Sequence, residues 1–256
     1  MGQFHVLPTG LMVTFMSKLL IACATIVLAL SATGASGDTL PLPENLSGFS
    51  TRDGEVYFAE SDAREAYFPL ASNFLTQKTQ AYCGVASIVM ILNALGVPAP
   101  PVPEYEPYRT FTQENVLNER TDAVLPRETI ARQGMTLDQL AGLLATQPVK
   151  AEVHHASESS ADEFRKLAST YLGEPGHFVI INYLRKTIGE EIGGHISPLG
   201  AYDSKADRFL ILDVARYKYP PVWVKTADIF AAMNTPDAAN DNKSRGFVLV
   251  TAAAVQ

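Results

Sequence analysis

His195-Ile-Ser-Pro-Leu-Gly-Ala-Tyr202, then Asp203-Ser-Lys-Ala-Asp207, then Arg208-Phe-Leu-Ile-Leu-Asp-Val214: two apolar runs either side of five turn-forming residues predict an antiparallel hairpin. If Ala201 faces Asp207, the same register sets His195 opposite Asp213. A modest slip leaves the two as diagonal neighbours, still within side-chain reach. Asp213 closes the apolar run Phe209–Leu212, an unusual position for an acid without a partner. Further strands are expected at His177–Tyr183, Val222–Lys225 and Gly246–Ala252, with a short one at Val149–Val153.

Helical patterns lie mostly ahead of these strands. Cys83–Leu95 is the best of them, with Val85, Ile88, Val89 and Leu92 on one face, and Gly96 and Pro98 stop it. A short helix and loop are expected over 58–76, after an exposed lead-in at 38–56. Prolines 98, 100, 101, 103 and 107 require an extended surface crossing. Helices resume at 112–119, 126–133, 137–146 (capped by Thr136 and ended by Pro148) and Ser159–Leu172. Pro236–Arg245 reads as a polar loop. Helices first and a sheet afterwards give an α+β fold, not alternating βαβ units.

The chain has 256 residues, 47 % hydrophobic and 18 % charged, a globular composition for one domain. Its net charge of −7 excludes nucleic acid as the main partner, since phosphate binding needs a basic face. Residues 1–37 carry one charged side chain, Lys18, followed by the apolar run Leu19–Leu30 and the small residues Ser31–Gly37. That is the pattern of a secretory signal peptide rather than a membrane anchor, and Met16 is an alternative start. The expected organisation is therefore a signal peptide at 1–37, a mature domain at 38–256 and export to the periplasm. Leu20-Ile-Ala-Cys23 only loosely fits a lipoprotein box, because the apolar core follows Cys23. Cleavage takes the net charge to about −8 and removes Cys23, leaving Cys83 as the one thiol. Two cysteines in all exclude a disulfide scaffold.

Cys83 stands at the amino end of its helix, where the dipole and unpaired amides favour a thiolate. The plainer alternative is a buried apolar cysteine. Gln77, six residues upstream, is placed to donate to an oxyanion beside the sulfur. A base for such a nucleophile needs a third group to orient it. His195 has Asp213, and Gly193-Gly194 before it leave room for substrate backbone. His177 has no acid at a comparable spacing. His154-His155 beside Glu152 raises a metal site, but adjacent strand residues point to opposite faces and further ligands are lacking.

The segments Thr76-Gln77-Lys-Thr-Gln-Ala-Tyr82-Cys83-Gly-Val-Ala-Ser and Gly193-Gly-His195-Ile-Ser-Pro-Leu-Gly-Ala-Tyr202 resemble the phytochelatin synthase family. So do Ile211-Leu-Asp213-Val-Ala-Arg-Tyr-Lys-Tyr-Pro-Pro-Val-Trp223-Val and Ser244-Arg245-Gly246-Phe247. The resemblance covers roughly 55–252 and implies a papain-like cysteine-protease fold, a helical lobe carrying the nucleophile packed on an antiparallel sheet. It implies that the γ-glutamylcysteinyl unit of glutathione is taken onto Cys83 with release of glycine, then passed to glutathione or water. His195 would be general base and acid, Asp213 its orienter and Gln77 the oxyanion donor. Arg245, Asp237, Gly194 and Tyr82 would bind substrate. No tightly bound cofactor and no metal-ligand set on the protein are implied. Cd2+ or Zn2+ would enter as activator or as a metal–thiolate substrate, so the expected partners are glutathione, its metal complexes and a second copy in a homodimer. The long members of the family carry a cysteine-rich carboxy-terminal region, and this chain resembles the short bacterial type.

Two other function classes compete. A papain-like peptidase of the bacteriocin-leader type would use His177, in His177-Phe-Val, as base. A non-catalytic envelope protein binding metal or thiol peptides would take up metal without turnover. A membrane-attached scaffold rests on the apolar leader alone.

Overall fold

Residues 1–2 and 39–253 are described by the computed structural model. The expected signal peptide, with Lys18 and Cys23, lies outside the described residues but for Met1 and Gly2. Residues 39–253 form one compact unit. In chain order it runs β1 (Ser47–Gly48), α1 (Arg52–Glu60), α2 (Tyr67–Ser72), α3 (Cys83–Ala94), α4 (Glu119–Asp122), α5 (Arg127–Gln133), α6 (Leu137–Leu144) and β2 (Val149–His155). Then follow α7 (Ala161–Leu172), β3 (His177–Leu184), β4 (Gly194–Asp203), β5 (Arg208–Ile211), β6 (Val222–Lys225), α8 (Thr226–Met233) and β7 (Gly246–Ala252). Helices precede most of the sheet, so the α+β expectation holds.

The strands form one seven-stranded sheet in the order β1-β6-β5-β4-β3-β7-β2, antiparallel throughout. Its central strands β3 and β4 read as continuous apolar runs because both faces are covered: α3 packs on β4, α7 on β3 and β4, and α8 on β3 and β6. The α3 helix is more deeply set than its apolar stripe predicts. Every residue from Cys83 to Leu92 is buried, because the helix runs inside the molecule instead of along its surface. Ser87, the one hydroxyl in that stretch, donates to the Cys83 carbonyl at 2.8 Å and so adds no unpaired group.

The capped helices start where their sequences say. Thr136 and Gln139 form a reciprocal capping box at α6, and Ser160 caps α7. Elsewhere the expectation needs correction. The lead-in is not all irregular: Thr51 caps α1 and accepts from Gly54 N–H, with Asp53 and Glu55 in the first turn. The 112–119 helix does not form. Its residues turn instead, with Asn115 bonding the Thr110 and Thr112 backbone, and the helix there is the short α4, capped by Asn118. The α8 helix was not foreseen.

The hairpin register also differs from expectation. Asp203 pairs with Arg208 and Tyr202 with Phe209, and a bulge lies between Leu199 and Ala201. The strands close on the four residues 204–207, and β5 ends at Ile211. The chain then leaves regular pairing, and Asp213 reaches His195 from the irregular segment after β5.

Candidate active site

Cys83 is the first residue of α3, and Tyr82 before it makes no side-chain cap. The first-turn amides are thus left for the sulfur, and the backbone amides of Gly84 and, across on β4, of Ile196 favour its charged form. No acidic side chain stands in that turn to oppose a thiolate. Burial would push the thiol up. The hydrogen bond from His195 and the imidazolium charge outweigh it, and together with the two amides they hold the Cys83 thiol below its ordinary value.

His195 is the second residue of β4 and pairs with Tyr183 of β3. Gly193 precedes it at φ 125°, a conformation that only glycine adopts without strain. The imidazole is 5 % exposed. Its Nε2 lies 2.8 Å from Asp213 Oδ1, so Nε2 donates there and Nδ1 is left for the sulfur. Ser197 Oγ stands 2.9 Å from the same nitrogen and accepts from Val214 N–H, tying the acid's segment to β4. Asp213 is fully buried. Burial opposes its charge, yet His195 and Arg185 hold its carboxyl down at about 2. Burial likewise opposes the imidazolium, but Asp213 raises His195 above its usual value.

The thiol and imidazole open into a cavity of about 200 Å³. Of the substrate residues expected from sequence, Gly194, Asp237 and Arg245 line it. Arg245 stands 3.6 Å from Asp237 and donates to Thr235 Oγ1 and the Pro236 carbonyl, while its buried Nε has no partner in the fold. A side chain at position 194 would press within 3.4 Å of that guanidinium. Tyr82 and Gln77 are not among the lining residues. Gln77 is buried, its backbone N–H on the Val214 carbonyl, and its Nε2 donates to the Thr79 carbonyl at 2.7 Å and to Tyr217 Oη at 3.0 Å. Its donor is therefore committed to other acceptors, and Gln77 needs a side-chain rotation to serve an oxyanion.

Residues that sequence reasoning did not place in the site add to the wall: Met135 and the cap Thr136 just before α6, Gln139 in its first turn, Gln133 from the end of α5, and Asn182 from β3. Behind Asp213 stands Arg185, also missed. The signal was of the kind that singled out Asp213, a charge at the end of an apolar strand.

The other histidines lie elsewhere. His177 begins β3, six residues from the partner of His195, and bonds the Pro175 carbonyl. At about 3.3 Å per residue that is roughly 20 Å away. His154 stacks on Phe247 and bonds Glu152, whereas His155 bridges Asp138 and the Ser244 carbonyl. The two rings have separate partners, and among the described residues no group of three His, Cys, Asp or Glu side chains is placed to hold a metal ion.

Comparison with known proteins points the same way. The chain is 36 % identical over 216 residues to glutathione gamma-glutamylcysteinyltransferase 1 of Lotus japonicus, covering 83 % of this chain and 41 % of that protein. It is 35 % identical over 217 residues to the Arabidopsis thaliana protein of the same name (83 % and 43 %). With the glutathione gamma-glutamylcysteinyltransferase of Schizosaccharomyces pombe it shares 30 % over 212 residues (82 % and 50 %). The chain thus spans half or less of the length of these curated relatives. The family profile described as phytochelatin synthase matches residues 38–247. On that match, the chain belongs to the phytochelatin synthase family.

Proposed function

We propose that this protein is a thiol acyltransferase and peptidase that takes the γ-glutamylcysteinyl unit of glutathione onto Cys83 and releases glycine, on a papain-like fold. One observation carries the reading: a thiol at a helix amino terminus, lowered by an imidazole whose far nitrogen is held by a buried carboxylate, at the edge of a cavity lined by Arg245 and Asp237. The names of the relatives supply the substrate class.

The Cys83 thiolate attacks the carbonyl carbon of the Cys–Gly amide. The oxyanion forms over the start of α3, where backbone N–H groups point outward. The His195 imidazolium gives its proton to the glycine nitrogen, the C–N bond breaks, and a thioester remains. His195, now neutral, takes a proton from the second acceptor. That acceptor is the α-amino group of another glutathione, which lengthens the peptide, or water, which releases γ-glutamylcysteine. The thiolate leaves and the pair is restored. Arg245 and Asp237 present opposite charges to the α-carboxylate and α-ammonium of the glutamyl end. A Cd2+ or Zn2+ glutathione complex serves as substrate or acceptor, and the leader sends the mature chain to the periplasm.

The test is incubation of the purified protein with glutathione, with and without Cd2+, followed by product mass analysis. γ-Glutamylcysteine or a longer (γ-Glu-Cys)n-Gly peptide is expected, and Cys83→Ser should release no glycine. Undiminished glycine release by that variant, or Cd2+ uptake with no turnover by the wild type, ends the proposal. His177 makes no contact in the site, so the bacteriocin-leader alternative loses its base.

A further inference from the structure

Among the described residues, buried charge gathers behind His195, around the far side of Asp213. Arg185 opens the turn that follows β3, its N–H on the Gly193 carbonyl, and the loop folds back so that Glu190 N–H donates to the Arg185 carbonyl. Arg185 Nη2 donates to both oxygens of Asp213, at 3.0 and 2.7 Å, and Nη1 donates to Glu190 Oε2. The guanidinium lies over the rings of Tyr183 and Tyr219, 5.9 and 5.2 Å from their centres. The side chains of Arg185, Glu190 and Asp213 are 4 %, 0 % and 0 % exposed.

Stability does not account for this arrangement. A buried ion pair recovers little more than its desolvation cost, and well-packed apolar residues do as well. Glu190 even leaves Oε1 without a partner. Charge bookkeeping does account for it. A guanidinium alone against Asp213 would cancel the negative charge that supports the His195 imidazolium. With Glu190 on its other side, the buried trio carries one net negative charge, as Asp213 would alone.

We propose that Arg185 and Glu190 are a positioning couple for the catalytic base: Arg185 fixes the Asp213 carboxylate, and Glu190 cancels the charge that Arg185 brings, so that the imidazolium keeps its support. The groups facing His195 are Cys83 from α3, Asp213 after β5, and Arg185 and Glu190 from the β3–β4 connection. The Tyr183 ring stands edge-on from β3 at 5.7 Å, and the Arg245–Asp237 pair lines the same cavity. Among them, burial works hardest against the imidazolium, Asp213 favours it and Arg185 opposes it.

The inference rests on Cys83 and His195 acting as a thiolate–imidazolium pair, and its test does not need glutathione. Alkylation of Cys83 by the anion chloroacetate, read on the Cys83 peptide by mass analysis, falls at alkaline pH as the imidazolium loses its proton. Neutral chloroacetamide controls for access. In Glu190→Gln the alkaline limb should move down by about one pH unit, since one negative charge near the base is gone. In the full-length Arg185→Met/Glu190→Leu double variant the net charge around Asp213 is unchanged. The limb should then stay within about 0.3 unit, while glycine release falls at least about tenfold because Asp213 has lost its anchor. An unmoved limb in Glu190→Gln, or an equal shift in the double variant, overturns the proposal. If Glu190→Gln loses its circular dichroism signature of folding, the limb of the double variant decides alone. Wild-type protein that releases no glycine but shows these limbs refutes the substrate, not the couple.

Discussion

At Gly84, directly after Cys83, a methyl group would come within 2.5 Å of the Met135 sulfur. Helix propensity alone favours alanine over glycine by about 0.5–1 kcal/mol. The obstacle is thus one flexible thioether, and Met135 lines the cavity into which Cys83 and His195 open. Gly84→Ala should fold with a Tm close to that of the wild type and lose about tenfold in kcat/KM for glycine release, because the thioether is driven into the cavity. Met135→Ala in the same chain should restore most of the loss. If the double variant is no better than Gly84→Ala, the glycine is needed for its backbone and the cavity argument is wrong. At this scale the grouping of Cys83, His195 and Asp213 was legible, because a thiol at a helix start and an acid ending an apolar strand are each anomalous on their own. Met135 was not: nothing in its local sequence tells a cavity wall from a core side chain, and only the packing of α6 on α3 settles it.

Among the elements, α7, α8 and the β4–β5 hairpin are joined by a single carboxylate. Asp207 accepts from Arg165 Nε and Nη2 at 2.8 and 3.0 Å, from Tyr202 Oη at 2.9 Å and from Thr226 Oγ1 at 2.6 Å. The Arg165 hydrogen bonds lead in holding its carboxyl at about 2, burial opposes them, and Thr226 and Tyr202 add to the lowering. The folded value lies below the unfolded one, so this contribution is fully present above about pH 4 and is lost as pH falls towards 2. The side chain is 41 % exposed, so solvent screening leaves about 1 kcal/mol of it. Asp207→Asn should lower stability in urea at neutral pH by about that amount and flatten the stability profile between roughly pH 4 and 2. An unchanged acid limb would show that Asp207 carries no linkage. In sequence, Asp207 read only as a turn residue, since Arg165 and Thr226 come from helices 42 residues before it and 19 after it. The hairpin itself was legible but its register was not. The register is set at the turn, where Asp203 meets Arg208, and the bulge after Leu199 moves it only one residue back towards the expected pairing; Asp213 still meets His195 because a side chain spans what the backbone does not.

Over the whole molecule, the order of apolar runs was enough to give an α+β layout, whereas the strand order was not. β7, the last strand in sequence, inserts between β3 and the edge strand β2, so Phe247–Val250 lie on an interior strand, paired on both sides. Such placement depends on contacts far apart in sequence, and no local periodicity reports it. It has a consequence for the site. Cys83 sits on a helix buried all round, and His195 sits on the strand beside β3, so both proposed catalytic groups stand on deeply buried elements. A preorganised thiolate–imidazolium pair requires this, because about 1 Å of slack costs roughly a hundredfold in rate. Amide hydrogen exchange should therefore be slowest, at the level of global unfolding, in 85–92, 178–183, 196–202 and 247–250. It should be fast in the proline-rich crossing from Val97 to Tyr108, where Tyr105 and Tyr108 are exposed and few backbone bonds form. Exchange at 196–202 as fast as in that crossing would put the base on a mobile element and leave the lowered thiol without its physical cause.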